Sequence, residues 1–60
     1  MNRLEELLYH LKKDMKNKKI KSIVMAKDLG ISNVTITNTF KGKIGSFETL
    51  NKIIDYIDNK

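Results

Sequence analysis

The stretch SIVMAKDLGISNVTITNTFKG, residues 22–42, contains the features that decide the fold. Gly30 lies near its middle, and glycine readily takes the left-handed backbone that commonly follows the last turn of a helix. Ser32, two residues later, has a side-chain oxygen suited to capping the start of another helix. The stretch therefore predicts two short helices, over about residues 22–29 and 33–41, joined by a tight turn.

Local propensity alone disagrees with the second of these helices. The run VTIT at residues 34–37 is entirely β-branched, as is Thr39, and by propensity such a run could form a strand. Two observations favour a helix instead. Ile36 and Phe40 lie four residues apart and so share one side of a helix, and Gly42 ends the segment as Gly30 ends the one before it.

The spacing of small and apolar residues predicts how the two helices pack. Ala26 lets the second helix approach the first, Gly30 permits the turn, and Ile36 fills the space between them. This is the pattern of a helix-turn-helix, whose second helix enters the major groove of DNA. The residues predicted to form its core are Met25, Ala26, Leu29, Gly30, Ile31, Ile36 and Phe40.

Longer amphipathic helices are predicted on either side. The first covers about residues 2–17, with an apolar stripe made of Leu4, Leu7, Leu8, Leu11 and Met15. The last covers about residues 47–58 after a Ser46 cap, with a stripe made of Phe47, Leu50, Ile54 and Ile57, widened by Ile53 and Tyr56. The predicted fold class is therefore all-α, a compact four-helix arrangement in which residues 1–60 form a single domain.

The net charge of +5 is unevenly distributed along the chain. Residues 1–21 contain seven basic and three acidic side chains. Residues 22–45 contain three basic and one acidic side chain, and residues 46–60 contain two basic and three acidic side chains. The positive charge of the N-terminal two-thirds is suited to binding a polyanion. The alternative is that these charges are solvated and only keep the protein in solution. Cysteine is absent, no apolar run could span a bilayer, and Met1 starts no signal peptide, so a cytoplasmic location is expected.

Residues 25–42, MAKDLGISNVTITNTFKG, resemble the lambda-repressor-like family of helix-turn-helix proteins, which includes phage repressors, Cro proteins and many small bacterial regulators. The common form of that family is L-A-x-x-L-G-V-S-x-x-T-I-S-x-x-x-x-G. The sequence SFETL at residues 46–50 also matches its next helix, which opens S-x-E-T-L. The resemblance covers about residues 4–58. It implies a sequence-specific DNA-binding transcriptional regulator of phage, plasmid or mobile-element origin that occludes a promoter as a dimer and is nucleoid-associated when bound.

Three features depart from the family pattern. Lys21 and Ser22 stand where the family usually has a Ser or Thr cap and then a Gln that holds a DNA phosphate, although Ser22 could itself cap the helix. Thr39 stands where the family usually has an apolar residue, so looser packing is expected there. Four helices are predicted, whereas many members have a fifth, so the family's usual dimer surface is not carried over.

Four residues of the second short helix are candidates for reading bases, namely Asn33, Val34, Thr37 and Asn38. They lie away from Ile36 and Phe40, and the N-terminal part of such a helix is the part that reaches base edges. Amide side chains pair with adenine and an apolar side chain contacts the thymine methyl group, so an A·T-leaning site is expected. The alternative is that these are ordinary solvated positions.

Phosphate contacts are expected from helix N-termini and from lysines near the turns. The candidates are Lys21, Ser22, Thr35, Lys41 and Lys43. No acidic residue lies between Asp28 and Glu48, as a surface facing phosphates requires. Lys18 and Lys19 would either add outer contacts or remain solvated.

Ile44, Ile53 and Tyr56 are candidates for a self-complementary dimer surface, because the last helix has more apolar residues than one core face requires. The alternative is that they complete a small core. Val24 faces outward on the helical wheel, where the family usually has a polar residue. Together with Ile23 it would form a second partner surface or be covered by the first helix.

Double-stranded DNA is thus the predicted partner, and a homodimer the predicted binding form. The alternative function is a protein-interaction module of the same fold, an antirepressor or regulatory subunit, that acts through its exposed apolar surface. An enzyme is not expected, because His10 is the only histidine and forms no recognisable constellation with cysteine or acidic residues. No cofactor, metal, small-molecule ligand or membrane is implied.

Overall fold

The computed structural model describes residues 2–60, which contain four α-helices and no strand. The helices are α1 (Arg3–Asn17), α2 (Ser22–Leu29), α3 (Asn33–Phe40) and α4 (Phe47–Asp58). The predicted all-α class is confirmed, and α1 and α3 are each one residue shorter than predicted. Within the described residues, no helix combines the length and the apolar content that a bilayer crossing requires.

Side-chain oxygens cap three of these helices. Asn2 caps α1, Ser32 caps α3 and Ser46 caps α4, each by accepting a hydrogen bond from a backbone N–H of its helix. The two predicted serine caps are therefore confirmed. The N-cap position of α2 is Lys21, whose side chain forms no such bond, and Ser22 is already helical, which corrects the suggestion that Ser22 caps α2.

A left-handed residue follows each of the first three helices. These residues are Lys19 with φ 57°, Gly30 with φ 69° and Gly42 with φ 88°. At each turn the next residue donates its N–H to a carbonyl of the preceding helix, as Ile31 does to Ala26 at 3.0 Å. The last carbonyls of the helices thereby gain partners. Glycine takes this conformation freely, whereas Lys19 carries a Cβ that disfavours it.

One hydrophobic cluster lies at the centre of the four helices. Its buried members are Leu8, Leu11 and Met15 of α1, Met25 and Ala26 of α2, Ile36 of α3, and Leu50, Ile53 and Ile57 of α4. The remaining apolar residues predicted for the helix-turn-helix core, Leu29, Ile31 and Phe40, are half-buried and pack against it. The side of α3 that bears Ile36 is therefore committed to the core, and the opposite side is left to solvent.

The buried stripe of α4 differs from the predicted one. Leu50, Ile53 and Ile57 are buried, whereas Ile54 is half-buried and Phe47 is 75% exposed. Both stripes obey helical spacing, so packing against α1 and α2 decides which of them is covered. In α1, the predicted stripe residue Leu7 is exposed for the same reason.

Lys18 joins the end of α1 to the end of α4. Its Nζ donates a 2.7 Å hydrogen bond to the carbonyl oxygen of Ile57. That carbonyl belongs to the last turn of α4, where oxygens lack partners within the helix and where a cation complements the helix dipole. The ammonium group of Lys18 therefore has a structural role in place of the solvated or DNA-contacting role considered for it.

Candidate nucleic-acid interface

The start of α3 is an accessible tip held by local hydrogen bonds. Ser32 Oγ accepts a 3.0 Å bond from the Thr35 N–H and lies 3.0 Å from Thr35 Oγ1. Asn33 and Val34 are the first two residues of the helix, and both are exposed, Val34 by 67%. The two base-reading candidates at this tip are therefore open to contact by a partner.

Threonine hydroxyls within the β-branched run find hydrogen-bond partners inside the helix. Thr37 Oγ1 donates to the carbonyl oxygen of Asn33 at 3.0 Å, and Thr39 Oγ1 donates to that of Thr35 at 2.8 Å. Bonds of this kind to the preceding turn are how threonine is accommodated within a helix. Thr39 is only 3% exposed, so the position where looser packing was expected is closed.

Thr37 and Asn38 differ in accessibility. Thr37 is exposed, and because its hydroxyl hydrogen is donated to a carbonyl, its oxygen is left to act as an acceptor. Asn38 is half-buried and lines a polar cleft of about 260 Å³ together with Thr35, Lys43 and residues at the start of α4. Asn38 therefore does not lie fully on the outer side of α3, where helix periodicity placed it.

A larger basic cleft lies on the α1 side of α3. It has a volume of about 420 Å³, and Ser22, Thr37 and Lys41 line it. Lys12 and Lys16 of α1 line the same cleft, although sequence reasoning did not select them. Their separation by four residues on a predicted helix was the available signal, because it places both ammonium groups on one face.

The predicted phosphate candidates lie on α3, as Thr35 does, or on segments next to it. Thr35 and Lys43 lie at the polar cleft, and Ser22 and Lys41 lie at the basic cleft. Lys21 lies at neither, but it is exposed at the start of α2, where no side chain caps the helix. The first N–H groups of α2 are therefore available to an anion.

The acidic residues that flank α3 in sequence interact with other side chains. Tyr56 donates a 2.6 Å hydrogen bond from its hydroxyl to Oδ2 of Asp28, and Glu48 Oε1 lies 3.7 Å from Lys52 Nζ. The hydrogen bond to Asp28 raises the pKa of Tyr56, because only the protonated hydroxyl can donate it. The surface of α3 between these acids has no negative side chain of its own.

The predicted dimer surface is only partly accessible. Ile53 is completely buried within a single chain, so it completes the core and its assignment to a dimer contact is wrong. Tyr56 is half-buried with its hydroxyl bound to Asp28, and Ile44 is half-buried against the core. Among residues 2–60, the most exposed large apolar residue is Phe47, directly after Ser46, which lines the polar cleft.

Comparison with known proteins agrees with this geometry. Residues 10–59 match the family described as the Cro/C1-type HTH DNA-binding domain, and the match includes α2, α3 and α4. No curated protein and no solved structure matches the chain. The family match covers most of the sequence and agrees with the resemblance seen in residues 25–42. The chain belongs to the Cro/C1-type helix-turn-helix family of DNA-binding domains.

Proposed function

We propose that this protein is a sequence-specific transcriptional regulator that binds double-stranded DNA through α3 and occludes a promoter. The single observation that carries the proposal is the exposure of Asn33, Val34 and Thr37 on one short helix without an acidic neighbour. Family membership supports DNA as the partner. The resemblance to Cro and repressor proteins further favours a cytoplasmic regulator of phage, plasmid or mobile-element origin, with residues 1–60 acting as one binding unit.

Base contacts in this proposal come from the leading half of α3. Asn33 donates to and accepts from an adenine, Val34 contacts a thymine methyl group, and Thr37 accepts from a base amino group. Asn38 is half-buried beside α4, so it has the weakest support of the four and contributes from the edge of the site. Each well-formed contact would contribute about 1–3 kcal/mol of discrimination.

Phosphate contacts in this proposal come from both sides of α3. Lys41 and Lys43 flank the end of the helix, and Lys21 with Ser22 presents the uncapped start of α2. We add Lys12 and Lys16, which share the basic cleft with Lys41. Lysines at these positions contribute to affinity for any sequence and make binding steeply dependent on salt.

The binding form we propose is a homodimer, with a revised contact surface. Phe47 exposes 75% of its side chain at the start of α4, close to the α3–α4 loop that bears Ile44. Because Ser46 lines the same cleft as Asn38 and Lys43, this apolar residue is next to the candidate DNA surface. A second copy joined there across a two-fold axis would present its own α3 to a neighbouring major groove.

Selection of bound duplexes from a random pool, at low salt, tests the proposal. We expect recovery of an inverted repeat whose A·T-rich half-sites lie about one helical turn apart. Sizing of the complex should give two protein chains per duplex, and Phe47→Ser should reduce this to one. Lack of any enriched sequence at low salt would contradict sequence-specific DNA binding. An enriched single site bound by one chain would contradict the dimer but leave sequence-specific binding standing.

A further inference from the structure

A third cleft lies away from α3, between the α1–α2 loop and the end of α4. Its volume is about 280 Å³. We call it the α2–α4 cleft, and its lining consists of four lysines, Lys18, Lys19, Lys21 and Lys60, with Ile20, Val24 and Tyr56. It therefore combines positively charged and apolar side chains in one lining.

Apolar side chains on α2 are left uncovered beside this cleft. Val24 lines it and is 47% exposed, and Ile23, the preceding residue, is 65% exposed. The following residues Met25 and Ala26 are buried, so α2 presents apolar side chains both to the core and to solvent. Adjacent apolar residues that remain exposed and are bordered by polar groups are typical of an interaction surface.

The charge of the cleft is largely uncompensated. The one ion pair within residues 2–60 joins Lys52 to Glu48, neither of which lines the cleft. Asp28 reaches this region through the hydroxyl of Tyr56, and that bond fixes the ring as one wall. Lys60 Nζ lies 4.9 Å from the centroid of the same ring. Lys18 donates to the Ile57 carbonyl, so Lys19, Lys21 and Lys60 supply the charge that an occupant would meet, and no acidic side chain lines the cleft. This favours an acidic occupant.

We propose that the α2–α4 cleft binds an acidic amphipathic helix of another protein. One apolar side chain of the partner packs against Ile20 and Val24, and its carboxylates pair with lysines of the lining. A volume of about 280 Å³ lies just below the range of small-molecule sites, roughly 300–1,000 Å³, and suits a single anchoring side chain of a protein interface. Nucleic acid is the poorer occupant, because phosphates would leave Val24 and Ile23 uncovered.

The proposal goes beyond DNA binding and is tested with a designed peptide as the probe. The peptide forms about four helical turns, with leucine along one face and glutamate elsewhere. Titration into isotope-labelled protein should shift the NMR amide signals of residues 19–24 and 56–60. A peptide with lysine in place of glutamate, and one with serine in place of leucine, should leave these signals unchanged.

Two exposed valines provide a matched control. Val24→Ser should raise the peptide Kd about fivefold by removing part of the apolar contact, whereas Val34→Ser on α3 should leave it unchanged. DNA affinity should show the reverse, so failure of one proposal is distinguishable from failure of the other. Lys60→Glu, at an exposed position outside the helices, should weaken peptide binding without affecting the fold.

Several results would overturn the proposal. They are the absence of shifts at the cleft, a peptide Kd for Val24→Ser equal to that of the wild type, and equal binding of the serine-containing peptide. Because Lys21 and Ser22 are also proposed to contact DNA phosphates, the signals of residues 56–60 separate the two occupants. A DNA duplex that shifted those signals as strongly as the peptide would assign the surface to nucleic acid. Self-association of the unmodified protein that Val24→Ser abolished would assign it to a second copy of the chain.

Discussion

The hydroxyl of Thr39 donates a 2.8 Å hydrogen bond to the carbonyl oxygen of Thr35, one helical turn earlier, while the Thr39 side chain is buried against its neighbours. The bond lies within α3 and connects it to no other helix. A buried polar group is thus satisfied locally, so its hydroxyl has no tertiary partner to lose on replacement.

Thr39→Val should therefore stabilise the protein. It replaces a buried hydroxyl by a methyl group of similar shape, and we expect the free energy of unfolding to rise by about 0.5–1 kcal/mol. Urea denaturation followed by circular dichroism measures this. Thr39→Ser is the control, since it keeps the hydroxyl, loses the methyl group and should lower stability by about 1 kcal/mol. A valine variant as unstable as the serine variant would mean that the Thr39–Thr35 bond stabilises α3.

The residues that end the helices should respond in opposite directions. Gly30→Ala forces a residue with a Cβ into the left-handed conformation, and it should lower the free energy of unfolding by about 1 kcal/mol. This loss would come from the backbone conformation alone, because the added Cβ would meet no neighbouring atom within 4 Å. Lys19→Gly removes the same penalty and should stabilise by about 0.5–1 kcal/mol. Gly45→Ala, at an equally open position without positive φ, should change stability little. Thermal unfolding of the three variants would refute this explanation if Gly45→Ala cost as much as Gly30→Ala.

The lysines of the basic cleft should contribute to the salt dependence of DNA binding. Lys16→Ala and Lys12→Ala should each weaken binding to all sequences alike and reduce the slope of log K against log salt by about 0.9 per chain. Fluorescence anisotropy over a range of salt concentrations gives this slope. Lys13→Ala is the matched control on the same helix, because Lys13 is exposed but does not line the cleft. A slope reduced equally by all three variants would argue for a diffuse field in place of specific contacts.

Base discrimination should follow the exposure of the two asparagines. Asn33→Ala should relax the preference at one base pair by about 1–3 kcal/mol. Asn38→Ala should have a smaller effect, because Asn38 is half-buried toward α4. Competition binding with single-base variants of the selected site measures both, and Lys41→Ala should weaken every competitor equally. Loss of preference at several positions from Asn38→Ala alone would place Asn38 at the centre of the site.

The Tyr56–Asp28 bond should make stability depend on alkaline pH. The pKa of Tyr56 is raised above its ordinary value of 10.0 in the folded protein, so the protonated hydroxyl is the stabilising form. Its contribution is complete below pH 10 and is lost as pH rises through the folded pKa. The difference in free energy of unfolding between wild type and Tyr56→Phe should be constant from neutral pH up to the ordinary pKa of 10.0 and should then shrink. If the stability difference between wild type and Tyr56→Phe grew above pH 10, the protonated hydroxyl would not be the stabilising form. Asp28→Asn tests how much the carboxylate acceptor contributes.

The local structure was determined by the sequence alone. The caps at Ser32 and Ser46 and the left-handed turn at Gly30 each depend on hydrogen bonds within a few residues, so the residue types at those positions suffice to predict them. The helical state of α3 was also predicted, from the spacing of Ile36 and Phe40, and only the structure shows that the hydroxyls of Thr37 and Thr39 are satisfied within the helix. The DNA-binding role was predicted from the helix-turn-helix motif that contains these elements. The family match supports that role.

Tertiary structure decided which of several equally periodic positions each helix buries. Ile53 and Phe47 are alternative stripe residues by spacing, and only the placement of α4 against α1 and α2 buries the first and exposes the second. The approach of Lys12 and Lys16 to Lys41, and the turning of Asn38 toward α4, likewise depend on how helices distant in sequence are arranged. Helical periodicity repeats along one segment, whereas burial is a property of two or more segments in contact.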